Sequence, residues 1–288
     1  MIKSLISGIL ILFALFNNQS KVIFKETSPN EQGEQIINDA RKAIGIENNK
    51  ISSFILKSKR ILIAKSDTTS SRPPVVLGTE ISAKMPDKVQ LISTAEEPSR
   101  FKYTSIWNGV KYKKLSEINT LGERTIKDVT ESSLNTKERL KVLEGKIDKN
   151  ELEKIKLVAN TDPKEKLNNQ IWLEIFPLIL NNPFEQNLEF IYVGKSESSN
   201  RIANVVDVKS KNERNYRFLF DTETNLLLMT IETFKGTDGD YEIKYYYSNR
   251  EKVDGLLIPK KIKAEQRITS AGKEPRISYS NIEILEFK

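Results

Sequence analysis

The chain contains neither histidine nor cysteine. That removes imidazole as a proton shuttle, thiolate nucleophiles, Cys-ligated metal centres and disulfides. Chemistry, if there were any, would rest on carboxylates, lysines, tyrosines or Ser–Lys pairs. Glu96-Glu97 is a carboxylate pair of the kind that serves glycosidases, but nothing in the sequence sets two carboxylates across a cleft. Asp238 and Asp240 flank Gly239, yet the distal Glu of a calcium loop is missing, and a hairpin turn is the favoured reading. Gly194-Lys195-Ser196-Glu197-Ser198 lacks the last glycine of a nucleophile elbow and reads as a turn. No phosphate-binding or dinucleotide loop is present. The expectation is a protein without catalytic residues, cofactor or metal.

What remains is apolar and aromatic patterning. In a strand, alternate residues share a face. Tyr241, Ile243, Tyr245 and Tyr247 share one face of one segment, as do Tyr216, Phe218 and Phe220 of another, and Phe190 with Tyr192 of a third. Phe101, Tyr103 and Trp107 form a further set nearer the front, with a change of parity expected before Trp107. Trp172, Phe176, Ile179 and Phe184 make an apolar helical face. Such residues fit the wall of an apolar cavity, with the helical face as a mobile lid. They equally fit a packed core beneath a permanently docked helix.

These residues need elements to position them. Ile36, Ile37, Ala40, Ala43 and Ile44 at helical spacing predict an amphipathic helix over 30–45 that stops at Gly45. Strand-like segments follow at 53–65, 75–84, 87–95, 100–107 and 110–115, with Pro73, Pro74 and Pro86 as breakers. Asn108-Gly109 lies between alternating apolar residues and predicts a tight hairpin with positive φ at both turn positions. Residues 133–181 change to helical spacing dense in charge, and Pro177 should kink or end the last helix. From 187 onward seven short strands alternate with polar turns as an antiparallel meander. The order is helix, sheet, helices, sheet, which excludes a doubly wound parallel fold. The two antiparallel halves could join in one curved sheet closed by the helical middle.

Forty-six basic and 39 acidic residues give a net charge of +7. The two signs interleave along the chain, unlike the stripe of a nucleic-acid binder, so no nucleic-acid partner is expected. Lys57, Lys59 and Arg60, and Lys260, Lys261 and Lys263, could attract an anionic head group or membrane surface, but read first as solvated strand faces or edge protection. Residues 1–20 carry Lys3, an apolar run from Leu5 to Phe16 and a polar end, the plan of a signal peptide. An uncleaved anchor is the lesser reading, because a span needs about 20 apolar residues. The expected organisation is a signal peptide at 1–20 and a single domain over 21–288, working in the periplasm.

Several short motifs occur in an order that resembles the LolA/LolB-type outer-membrane lipoprotein carrier superfamily, also called lipoprotein-sorting proteins. They are the first amphipathic helix and then KISSFILKSKRI, Lys84-Met85-Pro86-Asp87-Lys88-Val89 and Trp107-Asn108-Gly109-Val110-Lys111-Tyr112, followed by FLFDTETNLLLMTIE and YYYSNREKVDGLLIPKKI. The resemblance covers most of residues 30–288. It implies an α+β fold: an unclosed, strongly curved antiparallel β-barrel, or half-barrel, with helices packed in its concave face and a helical lid at about 133–181. It implies that the apolar cavity binds acyl chains of a lipid or lipoprotein for carriage across the envelope, with partner proteins in the inner or outer membrane. An envelope sensor or protein-interaction domain on the same fold is the alternative. Two departures are plain. The carrier has an arginine before the pivot proline that is involved in holding the lid closed, where this chain has Met85, and the middle segment here is longer and more charged. The cavity wall expected on this basis comprises Phe101, Tyr103, Trp107, Trp172, Phe176, Ile179, Phe190, Tyr192, Phe218, Phe220, Ile243, Tyr245 and Tyr247.

Overall fold

A computed structural model describes residues 27–46, 53–64, 74–84, 88–95, 100–120, 123–128, 167, 171, 174–180, 188–198, 201–209, 215–236 and 239–288. The expected signal peptide and most of 133–181 lie outside the described residues. So do Trp172 and Phe184.

Helix α1 spans Pro29–Ala43. Ser28 caps it: its hydroxyl accepts the Glu31 amide, and the Glu31 carboxylate accepts the Ser28 amide. Pro29 suits the first turn because its missing N–H would have no helical partner there. The helix ends at Ala43, just before Gly45, which takes a positive φ of 93° as the chain turns away. Ile37, Ala40 and Ile44 are buried along one stripe.

The strands are β1 (Ser53–Ala64), β2 (Val75–Lys84), β3 (Lys88–Ala95), β4 (Arg100–Trp107), β5 (Tyr112–Thr120) and β6 (Glu123–Asp128), then β7 (Glu189–Ser198), β8 (Arg201–Lys209), β9 (Asn215–Asp221), β10 (Leu227–Gly236), β11 (Gly239–Val253), β12 (Leu256–Thr269) and β13 (Arg276–Phe287). They form one 13-stranded sheet in the order β6-β5-β4-β3-β2-β1-β13-β12-β11-β10-β9-β8-β7. The sheet is antiparallel throughout and unclosed, with β6 and β7 at its ends. Pairing of β1 with β13 joins the two halves, from Leu56↔Phe287 to Ala64↔Ser278. Extra residues at Leu285 of β13 (opposite Lys57/Ser58), Val193 of β7 and Leu228 of β10 shift the register, and such insertions bend a strand.

Three expectations need correction. Asn108-Gly109 is not a two-residue hairpin. The loop runs from Asn108 to Lys111, only Gly109 has positive φ, and the Asn108 side chain accepts the amides of Val110 and Lys111. The tight turn with both φ values positive is instead Asp254-Gly255 between β11 and β12. The segment expected to begin a strand at 110 therefore starts at Tyr112, and a strand not anticipated, β6, follows it. Finally, no parity change precedes Trp107. The β3–β4 register runs unbroken from Val89↔Trp107 to Ala95↔Phe101, so Phe101, Tyr103 and Trp107 share a face.

Two contacts make the architecture testable. A methyl group at Gly33 would sit 2.4 Å from the Phe190 carbonyl oxygen, so α1 approaches β7 only because that position is glycine. Gly33→Ala gains about 1 kcal/mol of helix propensity, but a backbone clash of this kind costs about 1–3 kcal/mol. We expect net destabilisation in chemical denaturation, and an unchanged or raised midpoint would refute the close packing. At the seam, Glu286 faces Lys57 across the pair at 2.7 Å and also bonds Lys288. The two lysines, Lys288 foremost, lower its carboxyl from 4.5 to about 2. A depressed folded value means the stabilisation is complete above about pH 4.5 and lost as pH falls toward about 2. Glu286→Gln should therefore melt below the parent protein at neutral pH, with the gap closing near pH 2.

Candidate functional site

The register places the core-bearing face residue by residue. Phe218 of β9 lies opposite Val206 of β8 and Thr230 of β10, and Tyr216 lies opposite Val208 and Glu232. Phe190 and Tyr192 of β7 oppose Val208 and Val206. On β11, Tyr247 and Tyr245 oppose Ile262 and Ala264 of β12, and Ile243 opposes Gln266. The alternation expected from sequence for β9 and β11 is thus the alternation of the sheet.

A second apolar element rests on this face. Residues 174–179 are helical, as are Leu167 and Ile171. Pro177 lies inside this run rather than ending it, and the stop comes at Leu180, whose φ is +50°. Leu167, Ile171, Ile175, Phe176, Leu178, Ile179 and Leu180 are each at most 2% exposed and share one cluster with α1 and the sheet. The Phe176 ring lies 5.6 Å from that of Phe218 and 6.2 Å from that of Phe190, and Phe220 continues the row 6.2 Å beyond Phe218. Aromatic pairs at these separations add to the stabilisation from buried area.

Two charged contacts tie the segment down. Arg41 of α1 donates from Nε to the Leu180 carbonyl at 2.6 Å, and burial lowers its pKa from the ordinary arginine value. Arg60 of β1 reaches Glu174 at 3.6 Å. Arg60 was expected on a solvated basic face with Lys57 and Lys59. The structure instead puts it on the same face as Phe54 and Leu56, two and three pairs along β1, which the parity of the strand would have revealed. Deeper in, the Tyr247 phenol and the Thr230 hydroxyl are 2.9 Å apart. Burial pushes the Tyr247 phenol far above its ordinary value, so it stays neutral, with the Thr230 bond opposing in part. The buried Arg250 guanidinium, its pKa lowered by desolvation, donates to the Leu227 carbonyl.

Of the expected wall residues, Phe176, Ile179, Phe190, Phe218, Phe220, Tyr245, Tyr247 and Trp107 belong to or pack against one cluster. Tyr192 and Ile243 share the face by register but lie outside that cluster. Phe101 and Tyr103 stand apart. Their rings pair at 5.0 Å, Tyr103 is 36% exposed, and Lys114 sits over its ring. Sequence reasoning passed over Arg41, Glu174 and Arg250. No pattern marks a guanidinium that bonds a backbone carbonyl far along the chain. β10 pairs with β11 as far as Gly236↔Gly239, the pairing of a hairpin, and Asp238 itself lies outside the described residues.

The chain is similar in structure to a DUF1329 family protein from Desulfovibrio piger, with 9% identity and a TM-score of 0.46 over 91% of this chain and 93% of that one. It is also similar to a LolA superfamily protein from Nitrosomonas europaea, with 9% identity and a TM-score of 0.45 over 89% of this chain and 92% of that one. No family model matches the chain, and no curated protein matches it by sequence.

The contrast between Phe176 and Tyr103 can be measured. Phe176→Ala should cost about 3–5 kcal/mol in equilibrium unfolding, whereas Tyr103→Ala should cost under about 1 kcal/mol. Equal losses at the two positions would contradict the described packing.

Proposed function

We propose that the chain is a non-catalytic carrier that binds acyl chains of a lipid or lipoprotein between the sheet and the helical segment ending at Leu180. It would work in the periplasm behind a signal peptide at residues 1–20, as a single domain with residues 133–181 as lid. Phe176, Phe190, Phe218, Phe220, Tyr245 and Tyr247 are the proposed wall.

The observation that carries this reading is the lid's composition and burial. Ile175, Phe176, Leu178, Ile179 and Leu180 are all buried, and Glu174 and Pro177 between them are half-buried. An element this apolar is not exposed to water without a large penalty. At about 1.5–3 kcal/mol per side chain, lifting these five side chains off the sheet costs on the order of 10 kcal/mol. An acyl chain of about 16 carbons recovers on the order of 10 kcal/mol at about 0.8 kcal/mol per CH₂. The two quantities match, so an acyl chain substitutes for the segment at nearly no net cost, which suits a protein that must both load and release. The Arg41–Leu180 bond and the Arg60–Glu174 pair are then small clamps on a balanced exchange. The first is a charge-assisted bond worth about 1.5–3 kcal/mol, and the second, half exposed, is worth about 1 kcal/mol or less. Arg41 thus supplies from α1 the restraint that the resemblance assigns to the residue now occupied by Met85.

The direct test is native mass spectrometry of the signal-free protein from an envelope extract, with analysis of released lipid. A bound acyl lipid is expected. A bare protein at its sequence mass that also takes up no fluorescent fatty acid would overturn the proposal. The clamp has its own test. Arg41→Ala should raise the rate of fatty-acid uptake by about tenfold or more and speed amide exchange in 174–180. Unchanged rates in both would remove Arg41 from the mechanism.

A further inference from the structure

At one end of β1–β4, three successive cross-strand rows surround a cavity of about 560 Å³. The outermost row is Ser53, Lys84 and Lys88, in register across β1, β2 and β3. Next come Phe54, Ala83, Val89 and Trp107, and then Ile55, Ser82, Gln90 and Ile106. Lys288 joins them because its backbone exchanges hydrogen bonds with Ile55, at 2.7 and 3.1 Å. Alternation along a strand puts the first and third rows on one face and the middle row on the other. Phe54, Ala83 and Val89 are buried in the core. The cavity at these strand ends is therefore lined by residues of both faces: the lysine row and the Ile55–Ile106 row from one, and Phe54, Ala83, Val89 and Trp107 from the other.

The charges here are unusual for a sheet. Lys84 and Lys88 stand directly opposite each other, an arrangement that like charges disfavour. Neither has an ion-pair partner among the described residues. Among the described residues no carboxylate side chain lines the cavity, and Lys288, the third cation, is shared with Glu286. Behind the cations, Ile55 and Ile106 offer half-buried apolar walls, with Ser82 and Gln90 between them as hydrogen-bonding groups. The volume is within the range of small-molecule sites, about 300–1,000 Å³. A cationic mouth over an apolar wall fits an anion carried on an apolar stem.

We propose that this pocket binds the phosphate group of an anionic amphiphile, with Lys84 and Lys88 holding the phosphate and Ile55 and Ile106 contacting the stem. The proposal does not rest on the acyl-chain reading, because none of Lys84, Lys88, Ile55 and Ile106 belongs to the cluster under the helical segment. An anion between the two lysines relieves their repulsion, so binding and stability oppose one another at these positions.

Trp107 lines the pocket, and the chain's second tryptophan is Trp172. In a Trp172→Phe background, Trp107 emission is titrated with dihexanoylphosphatidylglycerol, dihexanoylphosphatidylcholine and inorganic phosphate, each below any micelle concentration. Saturable binding of the phosphatidylglycerol is expected, weakened by salt, with the zwitterionic lipid and phosphate alone each bound more weakly. Lys84→Glu/Lys88→Glu should weaken it by about tenfold or more while leaving the melting temperature about equal, because two opposed carboxylates repel as the two lysines do. Lys84→Gln/Lys88→Gln should fall between the two. Unchanged affinity in the charge-reversed protein, or equal binding of the zwitterionic lipid, would overturn the role of the lysines. Phosphate binding as tightly as the amphiphile would overturn the stem, and absence of binding would overturn the site. Fatty-acid uptake measured in parallel separates the two sites, because the lysine variants should retain it.

Discussion

The constraint on which the structure turns is coverage of one sheet face. A 13-stranded sheet that does not close has a long face to keep dry, and the helix available among the described residues is short. A single cross-strand row shows how the sequence meets this limit. Leu56, Ile81 and Leu91 are in register across β1, β2 and β3, and the same row continues as Ser105 of β4 and Lys114 of β5. The residues are apolar where the core lies and polar beyond it. The next row but one carries Arg60, Leu77, Ala95, Phe101 and Ile118, and it ends with Ile118 at 44% exposed. The first row is therefore amphipathic across the width of the sheet, whereas the second stays apolar from Leu77 to the exposed Ile118. The apolar region extends from β1–β3 through β13 to β7, beneath α1 and the segment ending at Leu180.

That arrangement places weight on the β1–β13 seam. The apolar region crosses it, yet its two strands come from opposite ends of the domain. Loop closure over such a separation is entropically unfavourable until the pairing is made. The seam is reinforced on both faces. Leu56, Ile282, Ile284 and Phe287 are buried on the core side, and Lys57, Glu286 and Lys288 link on the other. The bulge opposite Lys57/Ser58 lies beside these contacts, so twist is concentrated at the junction of the two halves.

Much of this was legible in the sequence, and what was not has physical reasons. The tyrosines of β11 and the aromatics of β9 could be assigned a face because period-2 alternation is unbroken in both strands. All seven strands of the second half were visible from their polar turns, and the joining of the halves followed from the element order. Turn geometry was harder. Asn-Gly and Asp-Gly have the same intrinsic preference for positive φ, and only the surroundings decide that Asp254-Gly255 takes the tight turn while Asn108 uses its side chain to hold a longer loop. β6 was missed because Glu123–Asp128 offers one large apolar residue, Ile126, and carries little pattern. Arg60 was misplaced because a charged residue on a core-facing position looks like surface until its partner, Glu174, is brought across from another element. Lys84 and Lys88 were seen only as flanks of a proline pivot, since their opposition depends on register.

The polar groups inside the core bear on what a ligand there must provide. The Tyr247 hydroxyl has Thr230, and the Arg250 guanidinium has the Leu227 carbonyl. A molecule that displaces the helical segment need not satisfy either of these groups. It has only to replace apolar area, and area alone discriminates poorly between ligands of similar length. The Arg41–Leu180 and Arg60–Glu174 contacts at the ends of the segment set the ease of displacement, not the identity of the ligand. Selectivity would then have to arise where polar groups remain available. On the described surface the directly opposed pair Lys84 and Lys88 is such a place, on the face of the sheet that the apolar site does not use.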